Sequence, residues 1–277
     1  MTPEIRPLSL ADVTELLLWA KAEGWNPGVD DAAPFRAADP EGFLGLFVDG
    51  RMAAGISAVT SGPDFGFIGL YICHPDFRGK GLGRQVWDAG MAHLGDRTAG
   101  LDGVPAQQEN YHSMGFEPAY RTWRYQGRFM PTHTPSSVVA VGPDMLPDIA
   151  TFDRRHYPGP RPAFLAEWLG GPRIARAIMR DGRVAAYGVL RKCHQGYKIG
   201  PLFAENEDDA ALVFIALAGC SDGEVVAIDV PEPATGFSAY LDDLAFEKGF
   251  DTMRMYRGPA PDIRLAGVFS VSTLELG

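Results

Sequence analysis

Leu70-Tyr71-Ile72-Cys73-His74-Pro75-Asp76-Phe77-Arg78-Gly79-Lys80-Gly81-Leu82-Gly83-Arg84 joins two very different neighbours. Before it, Phe65–Cys73 is an apolar run rich in Phe, Ile and Tyr and is closed by Pro75, as a buried strand would be. After it, Leu82, Val86, Ala89 and Gly90 recur at helical spacing, which predicts a helix over Leu82–Leu94 with one buried face. Glycine at 79, 81 and 83 lets successive backbone N–H groups turn to one side and approach an anion closely, and the start of the helix adds its positive dipole end. The stretch therefore predicts a diphosphate cradle. A P-loop would need four residues between its glycine and a Gly-Lys-Ser/Thr, and a dinucleotide fingerprint would place glycine where Arg84 stands. Both are excluded.

Working outward, Ser9 and Asp12 form a capping box ahead of Val13, Leu16, Leu17 and Ala20, a stripe at helical spacing. Phe43–Val48 and residues 52–59, joined by Asp49-Gly50, read as a hairpin, because Asp-Gly tolerates the positive φ angles of a type I′ turn. A strand over 98–104, a helix over 107–114 and a strand over 120–126 follow. The order predicts a mixed α/β sheet with helices packed on it.

The pattern is then written a second time. Asp49-Gly50-Arg51-Met52-Ala53-Ala54 returns 132 positions later as Asp181-Gly182-Arg183-Val184-Ala185-Ala186, and Phe67-Ile68-Gly69 returns after 131 as Lys198-Ile199-Gly200. Met114-Gly115-Phe116 pairs with Lys248-Gly249-Phe250 at an offset of 134, and Arg124-Tyr125-Gln126-Gly127 with Met255-Tyr256-Arg257-Gly258 at 131. Ordered matches at nearly one offset predict two homologous units. Residues 128–137, with Pro131 and Pro135 among Ser, Thr and His, read as a linker between a unit over 1–127 and a unit over 138–277.

With 277 residues, 46% hydrophobic, 22% charged and a mean hydropathy of −0.07, the chain is an ordinary globular protein that needs neither disulfides nor metals to build a core. A net charge of −10 repels phosphate backbones and anionic membranes, so nucleic acid and membrane are not expected partners. Cys73, Cys193 and Cys220 are far apart and odd in number, which points to a reduced, cytoplasmic compartment. The first ten residues lack the basic start and apolar run of a signal peptide, no apolar stretch is long enough to span a membrane, and no histidine shows metal-ligand spacing.

The glycine-bearing stretch resembles the acetyl-CoA-binding motif of the GCN5-related N-acetyltransferases (GNAT), whose core is Arg/Gln-x-x-Gly-x-Gly/Ala; Arg78, Gly81 and Gly83 fill the three positions. Asn110-Tyr111-His112-Ser113-Met114-Gly115-Phe116 resembles the segment carrying that family's sulfur-facing tyrosine. Gly-Trp-Asn-Pro-Gly at 24–28 and Leu-Asp-Gly-Val-Pro-Ala-Gln-Gln at 101–108 look like a two-domain subfamily with a divergent second half. The resemblance implies acetyl-CoA as cosubstrate, held through the amides of Gly79, Lys80, Gly81, Leu82, Gly83 and Arg84. It implies an amide near Ile72 and Cys73 that stabilises the thioester oxygen, direct transfer to a primary amine, and Tyr111 as the acid that protonates the leaving sulfur. His74 reads as a turn residue, Cys73 as a small strand residue without a histidine partner, and His112 as surface; no general base stands out.

Carried forward by 131, Gly81 and Gly83 fall on Leu212 and Phe214 beside Asp208 and Asp209, and the counterpart of Tyr111 is Ala245, with Tyr240 as a packing or wall residue. The second unit is thus expected to bind no CoA and to complete the core or wall the acceptor site. Trp25, Asp30 and Asp31, after the first helix, and Asp229 of Asp229-Val230-Pro231, parallel to Gly103-Val104-Pro105, are candidate acceptor-site residues. The acidic balance suits a cationic amine. A CoA-binding sensor or adaptor, or transfer of another acyl group such as succinyl or propionyl, stays open.

Overall fold

The structure, a computed structural model, describes residues 3–131 and 133–277. Met1, Thr2 and Thr132 lie outside the described residues, and with them the first two positions of the 1–127 unit and one position of the 128–137 linker.

The first half runs β1 (Glu4–Pro7), α1 (Leu10–Ala22), α2 (Ala32–Ala38), β2 (Phe43–Val48), β3 (Arg51–Ser61), β4 (Phe65–Cys73), α3 (Leu82–Leu94), β5 (Thr98–Gly103), α4 (Gln108–Ser113) and β6 (Glu117–Gly127). Ser9 and Asp12 make both bonds of the capping box on α1, and Val13, Leu16, Leu17 and Ala20 are its buried residues. Asp49 and Gly50 take φ angles of 51° and 78°, as a two-residue hairpin turn requires. Along β2 the side chains alternate between two cores: Phe43 and Phe47 join α1 on one face, Leu44 and Leu46 join Val86 and Trp87 of α3 on the other.

The second half repeats the plan as β7 (Val138–Ala140), α5 (Leu146–Asp153), α6 (Pro162–Trp168), β8 (Ile174–Arg180), β9 (Arg183–Lys192), β10 (Tyr197–Ala204), α7 (Glu207–Ala218), β11 (Val226–Pro231), α8 (Thr235–Asp243) and β12 (Glu247–Arg257), closed by β13 (Val268–Ser270). Asp181 and Gly182 rebuild the hairpin turn at φ 51° and 73°.

The halves share one sheet, ordered β1-β2-β3-β4-β5-β12-β6-β11-β10-β9-β8-β7, with β13 on β10. Each half has handed its last long strand to the other: β12 pairs β5, and β6 pairs β11. Where the exchanged strands meet, Thr122 faces Thr252, and the pairs Tyr256–Glu117 and Glu247–Gln126 lie symmetrically about them. Two buried bidentate ion pairs repeat the symmetry. Arg124 of β6 donates to Asp229 of β11 at 2.7 and 2.9 Å, and Arg254 of β12 donates to Asp102 of β5 at 2.8 Å twice.

This geometry corrects the register of the repeat. Phe116 N–H donates to the Tyr111 carbonyl at the end of α4, and Phe246 N–H donates to the Leu241 carbonyl at the end of α8. The counterpart of Tyr111 is therefore Leu241 rather than Ala245, and Gly115-Phe116 answers to Ala245-Phe246, not to Gly249-Phe250. Ala245 occupies the left-handed turn position, at φ 58°, that Gly115 fills at 87°. In the same register Arg124 answers to Arg254, one residue before Met255.

Parallel pairing of β4 and β5 runs only from Phe65–Thr98 to Ile68–Leu101. Beyond it the strands splay, β4 slips register against β3, and Leu70 takes φ 47°. Residues 271–277 thread beneath this gap. The Glu275 carbonyl oxygen lies 2.1 Å from where a Cβ on Gly69 would stand, so only glycine fits there. Ser57 Oγ donates to that oxygen and Tyr157 Oη to the Leu276 carbonyl, while Leu276 packs into the α1 core. Among the described residues no helix is long and apolar enough to cross a membrane.

Candidate active site

The loop 74–81 between β4 and α3 is exposed, and Gly79 and Gly81 adopt φ 76° and 74°, with no atom within 4 Å of a Cβ on either. Their glycine character thus serves backbone conformation and leaves open space above the chain. Gly81 is the N-cap of α3. The N–H groups of Gly79, Lys80 and Gly81 make no bond within the described chain, and the first turn of α3 adds the free donors of any helix start. These unpaired donors are the groups of the loop that could hold an anion. The flanking cations are held to the sides: Lys80 Nζ donates to the Asp76 carbonyl, Arg84 pairs with Asp88 at 2.8 Å, and Arg78 bonds the Cys73 carbonyl and Glu23.

From the foot of this loop a cavity of about 710 Å³ follows the splay. Tyr71, Ile72, Cys73 and Arg78 form its loop end, and Tyr111 of α4 and Val104 its side. Trp25, Arg124, Gln195, Phe250, Thr252, Leu274 and Glu275 close the far end, so most of that wall comes from the exchanged strands and the second half. Because β4 has no partner past Ile68 on its β5 side, its outward amides there face the cavity.

Tyr111 stacks on Trp87 with ring centroids 5.7 Å apart and meets Phe116 edge-on, which fixes the ring. Its hydroxyl bonds nothing among the described residues, and burial, with Tyr71 nearby, pushes the phenol up to about 12. A phenol so placed stays protonated at neutral pH and can act as an acid. Burial likewise pushes the Cys73 thiol up, which suits a strand residue rather than a nucleophile. His74 accepts from Asp76 N–H and caps the turn before the loop, and His112 lies at the surface beside Glu117.

The acceptor candidates scatter. Trp25 is half-buried in the cavity wall, and its carbonyl accepts from Lys198 and Arg124. Asp30 is exposed away from the cavity, its carbonyl taken by Arg173. Asp31 is buried, binding Gly28 N–H at 2.8 Å and facing Arg173 and Arg191, so it anchors the 24–28 loop onto the second half. Asp229 lies behind the wall, neutralising Arg124. Its burial raises the carboxyl, but the charge and hydrogen bonds of Arg124 outweigh this and hold it below its ordinary value.

In the second half the glycines of the cradle have no counterparts at Leu212 and Phe214, which lie inside α7. The loop itself is missing: β10 passes into α7 through Glu205 and Asn206 alone, and Asn206 caps the helix by accepting from Asp209 N–H. Asp209 is buried against Arg180, and Tyr240 packs on Phe214 and Phe237. Among the wall residues, Arg124, Gln195, Phe250, Thr252 and Glu275 escaped the sequence reading, because strand exchange and the 271–277 segment bring them in from remote positions without a local motif.

Comparison with known proteins agrees with this architecture. The Acetyltransferase (GNAT) family profile matches residues 10–116, and an Acetyltransferase (GNAT) domain profile matches 149–270. The chain is 33% identical to holothin acyltransferase of Pseudoalteromonas sp. (strain SANK 73390), across 98% of this chain and 94% of that one. A Pyrococcus horikoshii protein solved as a candidate acetyltransferase shares the fold at a TM-score of 0.83 and 18% identity, covering 99% of this chain and 96% of its own. A tandem GNAT protein of the clavulanic acid biosynthesis pathway does so at 0.61 and 17%, covering 94% and 100%. The chain belongs to the GNAT acyltransferases, as a tandem protein with two such units in one polypeptide.

Proposed function

We propose that this protein transfers an acyl group, acetyl in the first instance, from acyl-CoA to a primary amine of a small molecule held between its halves, and that it binds one CoA per chain. The observation that carries the reading is the single cavity joining the foot of the glycine loop to the free Tyr111 hydroxyl and walled at its far end by the other half. The thioester supplies an activated acyl group. The amides of residues 79–84 hold the diphosphate, and the unpaired edge of β4 around Ile72 donates to the oxygen that gains charge. Tyr111 gives its proton to the leaving sulfur. The far wall orients the acceptor, with Trp25 offering an aromatic face and Arg124 cancelled by Asp229. The free thiols of Cys73, Cys193 and Cys220 agree with a cytoplasmic, reducing location.

Holothin is the acceptor to try first, given the name of the 33%-identical relative. Acetyl-, propionyl- and succinyl-CoA should each be offered with holothin, amino acids, polyamines and aminoglycosides, and the acylated amine identified by mass spectrometry. Formation of an amide product with one of them supports the reading. Binding of CoA without any product speaks for a sensor.

A further inference from the structure

The charged groups around the cavity cancel almost completely. Arg78 pairs with Glu23, Arg124 with Asp229, and Asp102 with Arg254. Glu275 is the exception. It lines the cavity and is only 4% exposed, yet among the described residues its carboxylate accepts no hydrogen bond and has no cation within 4.0 Å. Lys198, Arg124 and Arg191 act on it only from longer range, and each is engaged elsewhere: Lys198 with the Trp25 carbonyl, Arg124 with Asp229, Arg191 with Asp31 and the Ser272 carbonyl.

The residue is almost enclosed and its carboxylate opens only to the cavity, so a cationic group entering the cavity would find an acceptor there that no group of the chain occupies. Its backbone is firmly placed. The Glu275 carbonyl is wedged against Gly69 on β4, Thr273 Oγ1 accepts from the N–H groups of Glu275 and Leu276, and Leu276 is anchored in the core. This puts the carboxylate beside the splayed part of β4, in the same cavity as Tyr111.

We propose that Glu275 receives the acceptor's ammonium group and takes its proton, so that the divergent second half supplies the general base to the first half's cofactor site. The inference rests on the amine-transfer reading above. One proton passes from the ammonium to Glu275; the freed nitrogen forms the C–N bond to the acyl carbon as the C–S bond breaks; Tyr111 protonates the departing sulfur. The second nitrogen proton restores Tyr111, and Glu275 releases its own to water. The cavity would therefore select acceptors that carry a primary ammonium group over neutral or anionic ones.

The test compares wild type, Glu275→Gln and Glu275→Asp, with acetyl-CoA and the amine panel including holothin, measuring product formation, CoA affinity by calorimetry and thermal unfolding. Expected is a fall of about 100-fold or more in kcat for Glu275→Gln, with CoA affinity within about twofold of wild type and a measurable part of kcat recovered in Glu275→Asp. Turnover of Glu275→Gln within about threefold of wild type would overturn the proposal. So would a rise in KM at unchanged kcat, which marks ammonium anchoring alone, or a joint loss of CoA affinity and thermal stability, which marks a structural role. A wild type that binds acetyl-CoA yet acylates no amine overturns the amine-transfer reading, and the role of Glu275 with it.

Discussion

Two residues with free polar ends, Tyr111 and Glu275, face one cavity, and they differ in how they could be found. Tyr111 is legible because its cue is local: it lies four residues before Gly115, and the turn that Gly115 allows at φ 87° ends α4 beside Trp87. Glu275 belongs to a short segment with no motif, and only its threading under β4 gives it chemistry. Changing Tyr111 to Phe removes the proton and keeps the stacked ring. The variant should lose about 100-fold or more in kcat while its CoA affinity holds, as turnover assays and calorimetry would report. The pH profile gives a second reading. Burial raises the phenol to about 12, so the acid form persists well above an ordinary tyrosine's pKa near ~10. With Tyr111 as the acid the alkaline fall should lie above about pH 10, and a fall centred at about 10 that persists in Tyr111→Phe would show that another group sets it and that Tyr111 has no acid role.

At the scale of elements, the strand–loop–helix from β4 to α3 was readable to the residue, since Phe65–Cys73 and Leu82–Leu94 carry their periods in side chains alone. The second copy was harder. Its connection from β10 to α7 is six residues shorter than loop 74–81, while its connection from α7 to β11, residues 219–225, is four longer than 95–97. The two changes nearly cancel, so the overall offset survives and hides the missing loop behind Leu212 and Phe214. Within the true loop, replacing Gly81 with Val places a β-branched side chain at φ 74°, where the backbone rarely holds one, and narrows the approach to the free amides. CoA affinity should drop at least tenfold by calorimetry while the melting temperature falls by only a few degrees, because the left-handed backbone costs a side chain about 1–2 kcal/mol and nothing packs on that position. A variant with wild-type affinity would remove the loop from the site.

Across the whole molecule, the two units were visible as a repeat, but the exchange of β6 and β12 was not, because strand order is set by pairings between residues about a hundred or more positions apart. The exchange explains why a half without a cofactor loop is kept: it completes the sheet and builds the far wall of the cavity. Arg124 and Asp229 show the dependence most plainly. Arg124→Met leaves a buried carboxylate without its cation, at a cost of about 3–5 kcal/mol in urea unfolding at neutral pH. In wild type Asp229 lies below its ordinary value, so the stability it contributes is present above about pH 4 and is lost as pH falls through its folded pKa. In the variant the charge and hydrogen bonds of Arg124 are gone and only the longer-range charges of Lys198 and Arg191 still oppose burial, so that pKa rises, acid relieves the strain, and the gap between the two proteins should narrow as pH falls toward about 4. A gap that is constant with pH would mean the pair is solvent-screened. The central claim, that one cofactor lies on the first half's loop and reacts in a cavity the second half completes, is tested most directly by a crystal structure with CoA. The account predicts one molecule per chain, its diphosphate on the amides of residues 79–84 and its sulfur within hydrogen-bond reach of the Tyr111 hydroxyl. CoA bound at the β10–α7 connection, or with its sulfur away from Tyr111, would contradict it.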